Sequence, residues 1–97
     1  MNTSLDRNAL LDYAVKYGTP LYVYDGDMII KRCRELYNFI KWPKLKILYA
    51  MKANYNVGIL KLLKKNNAYL DTVSPAEVHL GLKLGYRKEN ILYTANN

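Results

Sequence analysis

The chain has 97 residues, 51% apolar and 24% charged, which is the composition of a globular segment and excludes a disordered tail or a collagen-like repeat. Fifteen Lys and Arg against eight Asp and Glu leave a net charge of +7, which raises nucleic acid or an anionic membrane as partners. No apolar run approaches the roughly 20 residues of a membrane span, and a single cysteine, Cys33, excludes an intrachain disulfide and a clustered thiolate metal site.

In chain order, Ser4 is placed to cap a helix that carries Leu10, Leu11, Ala14 and Val15 on one side and stops at Gly18. Residues 20–24 read as a strand. Asp27 is the expected cap of a second helix, whose stripe of Ile29, Ile30, Cys33, Leu36, Tyr37 and Ile40 ends at Trp42-Pro43. The apolar run 45–51 reads as a buried strand. Asn54 or Asn56 opens a third helix with Ile59, Leu60, Leu62 and Leu63, and Asn66-Asn67 closes it.

Residues 69–73 form the next strand, followed at once by Ser74-Pro75-Ala76-Glu77. That order of a cap, an N1 proline and an N3 glutamate is a capping box and predicts a helix start there. The helix is expected to run to about Leu84, with Gly85 as its stop, before a last strand at 91–94. Cys33 reads as a small core residue on its helix. His79 reads as a helix-surface residue, with no Cys, second His or carboxylate nearby at ligand spacing.

Strands separated by single helices predict an α/β fold with parallel pairing and right-handed crossovers. Three such strands make an open piece of sheet, since a complete (β/α)8 barrel needs about 250 residues. The expected division is 1–44, a helix, strand and helix leading in, and 45–97, the first βα units. Lys41, Lys44 and Lys46 surround the Trp-Pro connection, and Lys61, Lys64 and Lys65 share one amphipathic helix. Both groups read as solvated faces, so neither a nucleic-acid nor a membrane partner is expected. Met1 to Arg7 lacks the basic-then-apolar order of a signal peptide, which makes the cytoplasm the expected location.

Two residues stand out for chemistry. Lys52 closes the second strand on the face shared by Leu48 and Ala50, at a strand end, where α/β folds keep their reactive groups. An amine held there is expected to lose hydration, which lowers its pKa and favours the neutral nucleophile that forms a Schiff base with an aldehyde. A lysine at a sheet rim is, by position alone, as a rule a solvated charge. Asp71 follows nineteen residues later on the neighbouring strand, between Tyr69 and Val73. An inward carboxylate there needs a partner, and Lys52 is the expected one. The plainer reading of Asp71 is a turn or capping aspartate.

The segment Tyr49-Ala-Met-Lys-Ala-Asn54 changes that balance, together with Tyr17-Gly-Thr-Pro-Leu-Tyr-Val-Tyr-Asp25, Leu70-Asp-Thr-Val-Ser74 with Glu77, and the stretch 85–97 ending Ile91-Leu-Tyr-Thr-Ala-Asn-Asn97. In this order they resemble the N-terminal part of the pyridoxal-phosphate decarboxylases of the alanine-racemase-like group, which act on diaminopimelate, ornithine and arginine. The diaminopimelate branch is nearest. Racemases of that fold place a tyrosine four residues after the lysine, whereas here Tyr55 is three after and Asn56 four after.

The resemblance implies a partial TIM-type (β/α)8 barrel, with residues 20–24 joining a β-rich domain that the C-terminal half would complete. It implies pyridoxal 5'-phosphate as cofactor, Lys52 as its Schiff-base lysine and Asp71 as a second cofactor-binding residue. Glu77 also matches a family position, but Ser74 already accounts for it as a capping partner. The implied reaction is decarboxylation of meso-diaminopimelate to lysine, the last step of lysine biosynthesis, in a homodimer whose sites are completed across the interface. The phosphate-binding glycine loop, the acid for the pyridine nitrogen, a ring-stacking histidine and a late cysteine are expected beyond Asn97, so the 97 residues alone are expected to be inactive. Ornithine, arginine or carboxynorspermidine as substrate, and a non-catalytic basic α/β binding module, are the competing readings.

Overall fold

The structure, a computed structural model, describes residues 5–94; Ser4 and the last three residues of the 85–97 segment lie outside that range. The first helix, α1 (Arg7–Tyr17), is capped by Asp6, whose carboxylate accepts the Ala9 N–H at 2.7 Å, and ends at Gly18 with φ +84°. None of its residues is buried, and Val15 is 88% exposed. The apolar side is present as expected, but no described element covers it.

Residues 20–24 form no strand. The stretch joins no sheet among the described residues, and a strand exists only with its partner. The second helix, α2 (Gly26–Phe39), starts two residues before the expected place: Asp25, with extended backbone, accepts the Met28 N–H at 3.2 Å, while Asp27 lies in the first turn. Both aspartates suit a helix N-terminus, one as cap and one as a charge against the dipole.

The strand expected over 45–51 is shorter, β1 (Ile47–Ala50), and runs directly into a 3-10 turn, Met51–Ala53. Asn56, not Asn54, caps α3 (Val57–Lys65), accepting the Gly58 and Ile59 N–H groups at 2.9 and 3.3 Å. Asn67 then takes a left-handed backbone, φ 63°, a conformation asparagine tolerates better than most residues. Next come β2 (Ala68–Thr72), α4 (Pro75–Lys83), a 3-10 turn (Lys88–Asn90) and β3 (Ile91–Tyr93).

The capping box opens α4 with one change. Ser74 Oγ accepts the Glu77 N–H at 3.2 Å, and Glu77 Oε1 accepts the N–H of Val73, the residue before the cap, at 2.9 Å. At the other end Gly85 has φ +93°, a conformation in which any side chain would be strained.

The sheet has the order β1-β2-β3, with both pairs parallel, as consecutive βα units require. Ala68, Leu70 and Thr72 of β2 are buried beneath the helices, whereas Tyr69 and Asp71 alternate onto the half-exposed opposite face. One core cluster joins Cys33 of α2 to Ile59, Leu63 and Ala68; the other joins Met51, Leu60, Leu70 and Tyr86. Gly81 lets α4 approach closely, since a Cβ there would meet Leu70 Cδ1 at 2.8 Å and Ile91 Cδ1 at 3.2 Å. Tyr86, 4% exposed, donates its hydroxyl to Leu60 O at 2.5 Å, and burial pushes its phenol up to about 12. Among the described residues no helix is long and apolar enough to cross a membrane.

Candidate functional site

Parallel pairing brings the C-terminal ends of all three strands to one rim, with Ala50 opposite Asp71 and Asp71 opposite Leu92. Paired residues point to the same side of a sheet, so Ala50, Asp71 and Leu92 share the face turned away from the helices. Lys52 lies two residues beyond Ala50, at this rim, on the 3-10 turn rather than on the strand itself. The chain alternates sharply there: Met51 is fully buried in the core, and Lys52 beside it is exposed. The dehydration expected of a strand-end amine is therefore not supplied by the described residues. Lys52 makes no hydrogen bond or ion pair among them, which leaves its amine available to a carbonyl.

Asp71 and Lys52 reach the same rim but form no ion pair. Asp71 Oδ1 instead accepts the Thr94 hydroxyl at 2.6 Å, from the residue that follows β3. Thr94 is fixed in turn by its own backbone, whose N–H donates to Thr72 O at 2.9 Å. The hydroxyl satisfies one oxygen of a half-buried carboxylate without neutralising it, so Asp71 stays a fixed acceptor on the sheet face.

The turn that carries Lys52 is held on its other side by Asn54. The Asn54 carbonyl accepts the Tyr49 hydroxyl at 2.9 Å, its Nδ2 donates to the Tyr24 hydroxyl at 2.9 Å, and its Oδ1 accepts the Asn56 N–H at 2.9 Å. Burial raises the Tyr49 phenol above its ordinary range, the hydrogen bond to Asn54 opposes that rise, and the nearby Tyr24 phenol adds to it. Sequence reasoning placed Asn54 in the lysine motif and considered it as a helix cap, without giving it a role in the site, and did not single out Thr94. The local signal for Asn54 is its place in that motif, an amide side chain two residues after Lys52.

Beside this rim, an apolar groove of about 530 Å³ runs along the free edge of β1, lined in part by Tyr24, Ile29, Cys33, Leu48, Ala50 and Leu63. It includes neither Lys52 nor Asp71. Burial pushes the Cys33 thiol up, and its sulfur lies 3.5 Å from the Asn66 carbonyl, so it sits in the core as a protonated thiol. Among the described residues no group of three or more His, Cys, Asp or Glu side chains could hold a metal ion.

The rim can hold an aldehyde-bearing cofactor: an exposed, unpaired amine on a turn anchored at both ends, beside a carboxylate fixed by a hydroxyl. Comparison with known proteins gives the family. The family model for the pyridoxal-dependent decarboxylase, pyridoxal binding domain, matches residues 27–97. The chain is 37% identical over 89 residues to diaminopimelate decarboxylase of Methanothermobacter thermautotrophicus, covering 90% of this chain and 21% of that protein. It is 41% identical over 85 residues to diaminopimelate decarboxylase of Aquifex aeolicus, covering 88% and 20%. It superimposes on the crystal structure of AQ1208 from Aquifex aeolicus with a TM-score of 0.76 and 39% identity, covering 91% of this chain and 22% of that one. The chain thus spans about a fifth of the length of the curated relatives it matches. These matches make the three parallel strands and the two helices between them a partial barrel, and the chain belongs to the pyridoxal-dependent decarboxylase family, as a piece of its pyridoxal binding domain.

Proposed function

We propose that the intact protein decarboxylates meso-diaminopimelate to L-lysine and carbon dioxide, with Lys52 as the residue that holds pyridoxal phosphate and Asp71 as a second contact to it. The observation that carries this reading is the free amine of Lys52 on the 3-10 turn at the C-terminal rim of a parallel sheet. Similarity to diaminopimelate decarboxylases favours diaminopimelate over other basic amino acids.

When bound, pyridoxal phosphate supplies an electron sink for the charge left behind by a departing carboxylate. Lys52 Nζ would hold the group through its aldehyde, and from its place at the rim the same amine would also be able to carry a proton. Its exposure lets water compete for that proton in these residues alone, so a working site needs further chain or a partner subunit to exclude water. Asp71, pinned by Thr94, offers a fixed negative oxygen that orients cationic nitrogen groups in the site. Completion of the site in a homodimer is part of the same proposal.

The test is reduction with borohydride after incubation of the intact protein with pyridoxal phosphate, followed by peptide mapping. A stable adduct on Lys52, absent in Lys52→Ala, is expected. An adduct spread over exposed lysines, unchanged by Lys52→Ala, would show that the segment binds by charge alone and favour the binding-module reading. A second expectation follows for the 97 residues alone: no turnover of diaminopimelate, checked by carbon dioxide release.

A further inference from the structure

Lys52 is the one residue of its turn that the proposed chemistry uses, yet nothing in its own side chain fixes where it stands. Its position is set by its neighbours. On one side Met51 is plugged into the core formed by Leu60, Leu70 and Tyr86. On the other, Asn54 engages its carbonyl, its Nδ2 and its Oδ1 with groups from three different parts of the chain.

We infer that Asn54 is the positioning residue of Lys52, tying the turn to the residue 20–24 segment through the Tyr24 hydroxyl, to β1 through the Tyr49 hydroxyl and to the cap of α3 through the Asn56 N–H. The inference rests on the reading of Lys52 as the cofactor lysine. It gives the segment before α2 a task that its lack of strand partners leaves unexplained: Tyr24, thirty residues from Asn54, supplies the acceptor for the amide.

The geometry explains why an asparagine serves here. A single side chain must accept from an N–H two residues ahead and donate to a phenol at the same time. An amide carries both functions on one planar group. Alanine has neither, and leucine would put an apolar group between two polar partners. Serine can serve either partner but is too short to span both. The Tyr49 hydroxyl, bonded to the backbone carbonyl of Asn54, remains whatever the side chain, so the local fold persists while the turn loosens. A loosened turn spreads Lys52 Nζ over more positions, and the effective concentration of the amine at the cofactor carbon falls.

Two readouts on the intact protein without bound cofactor test this. The first is amide exchange at residues 51–53, compared with exchange in β2. The second is the rate at which pyridoxal phosphate, trapped by cyanoborohydride, labels Lys52 relative to the ten other lysines of this chain. Tyr24→Phe removes one hydrogen bond and is expected to speed exchange in the turn about fivefold, with Asn54→Ala, which removes two, at tenfold or more. The preference for Lys52 is expected to fall in the same order, while β2 exchange and the unfolding midpoint of Tyr24→Phe stay unchanged. If both variants fold and leave turn exchange and Lys52 preference within about twofold of the unsubstituted protein, Asn54 is no positioning residue. If Asn54→Ala does not fold, Tyr24→Phe decides by the same criteria. Should the unsubstituted protein show no preference for Lys52, the cofactor-lysine reading fails, and the exchange data alone decide whether Asn54 holds the turn.

Discussion

Asp71 and Thr94 meet across the ends of β2 and β3, hydroxyl to carboxylate at 2.6 Å, and this contact occupies the carboxylate that Lys52 was expected to pair with. The arrangement separates the amine and the acid by one strand step, leaving each with one free end at the rim. Thr94→Val removes the donor and leaves the charge, so binding of pyridoxal phosphate to the intact protein is expected to weaken about threefold. Asp71→Ala removes the charge as well and is expected to weaken it about tenfold or more. Titration of the cofactor absorbance against each variant checks this, and equal affinities for both variants would mean that the charge of Asp71 does no work.

The close seat of α4 on the sheet depends on Gly81. Gly81→Ala improves helix propensity by up to about 1 kcal/mol. The new Cβ, however, falls 2.8 Å from Leu70 Cδ1 and 3.2 Å from Ile91 Cδ1, inside a core where Leu70 is fully buried, so the core must shift to admit it. Overpacking of this kind costs about 1–3 kcal/mol, so a net loss of about 1 kcal/mol is expected in urea unfolding. Pairing Gly81→Ala with Leu70→Val should recover part of that loss, because the two sites share the contact.

Tyr86 makes stability depend on pH at the alkaline end. Its phenol is raised from 10.0 to about 12 in the fold, so the folded state holds the proton where the unfolded chain has released it. That contribution is fully present below pH 10 and is lost as pH rises from about 10 through 12. Tyr86→Phe removes the titration and also the bond to Leu60 O. The variant is expected to be less stable than the parent at pH 8 by about 1 kcal/mol, with the difference narrowing as pH climbs toward 12. A gap that widens with pH would contradict this sign.

The 97 residues on their own are expected to be marginal in solution. They expose 7592 Å², against about 5,700 Å² for a compact monomer of this mass. Their radius of gyration is 15.6 Å, against about 12.5 Å for a compact domain of this length. Large apolar side chains are among the exposed residues, from Leu10, Leu11 and Val15 on α1 to Phe39 at the end of α2 and Trp42 beyond it. Light scattering of the isolated chain should show association at micromolar concentration. A soluble monomer with a cooperative, reversible transition would instead mark an autonomous small domain.

What could be read from the sequence follows the range of each interaction. Ser74, Pro75 and Glu77 announced α4 because a cap is written in four consecutive residues, and the apolar stripes of α2 and α3 repeat within a turn or two. Asp25 was missed in favour of Asp27 because two aspartates flanking Gly26 carry the same local signal, and only the backbone of residue 25 decides between them. Residues 20–24 looked like a strand because composition records the tendency to extend but not the presence of a neighbour. The rim was legible in part: Lys52 and Asp71 reach the same end of the sheet. Their actual partnerships were not, since Thr94 is 23 residues from Asp71 and Tyr24 is 30 from Asn54, and no spacing rule spans such gaps.

The alternation along β2 has a consequence of its own. Ala68, Leu70 and Thr72 lie under the helices, and Asp71 lies on the reverse side. Sliding β2 by a single position would drive a carboxylate into the oily layer beneath α3 and α4 and lift Leu70 into the open. Misregistered pairing is therefore penalised twice, so the packing that stabilises the sheet also acts as a proofreader for the address of its acidic group.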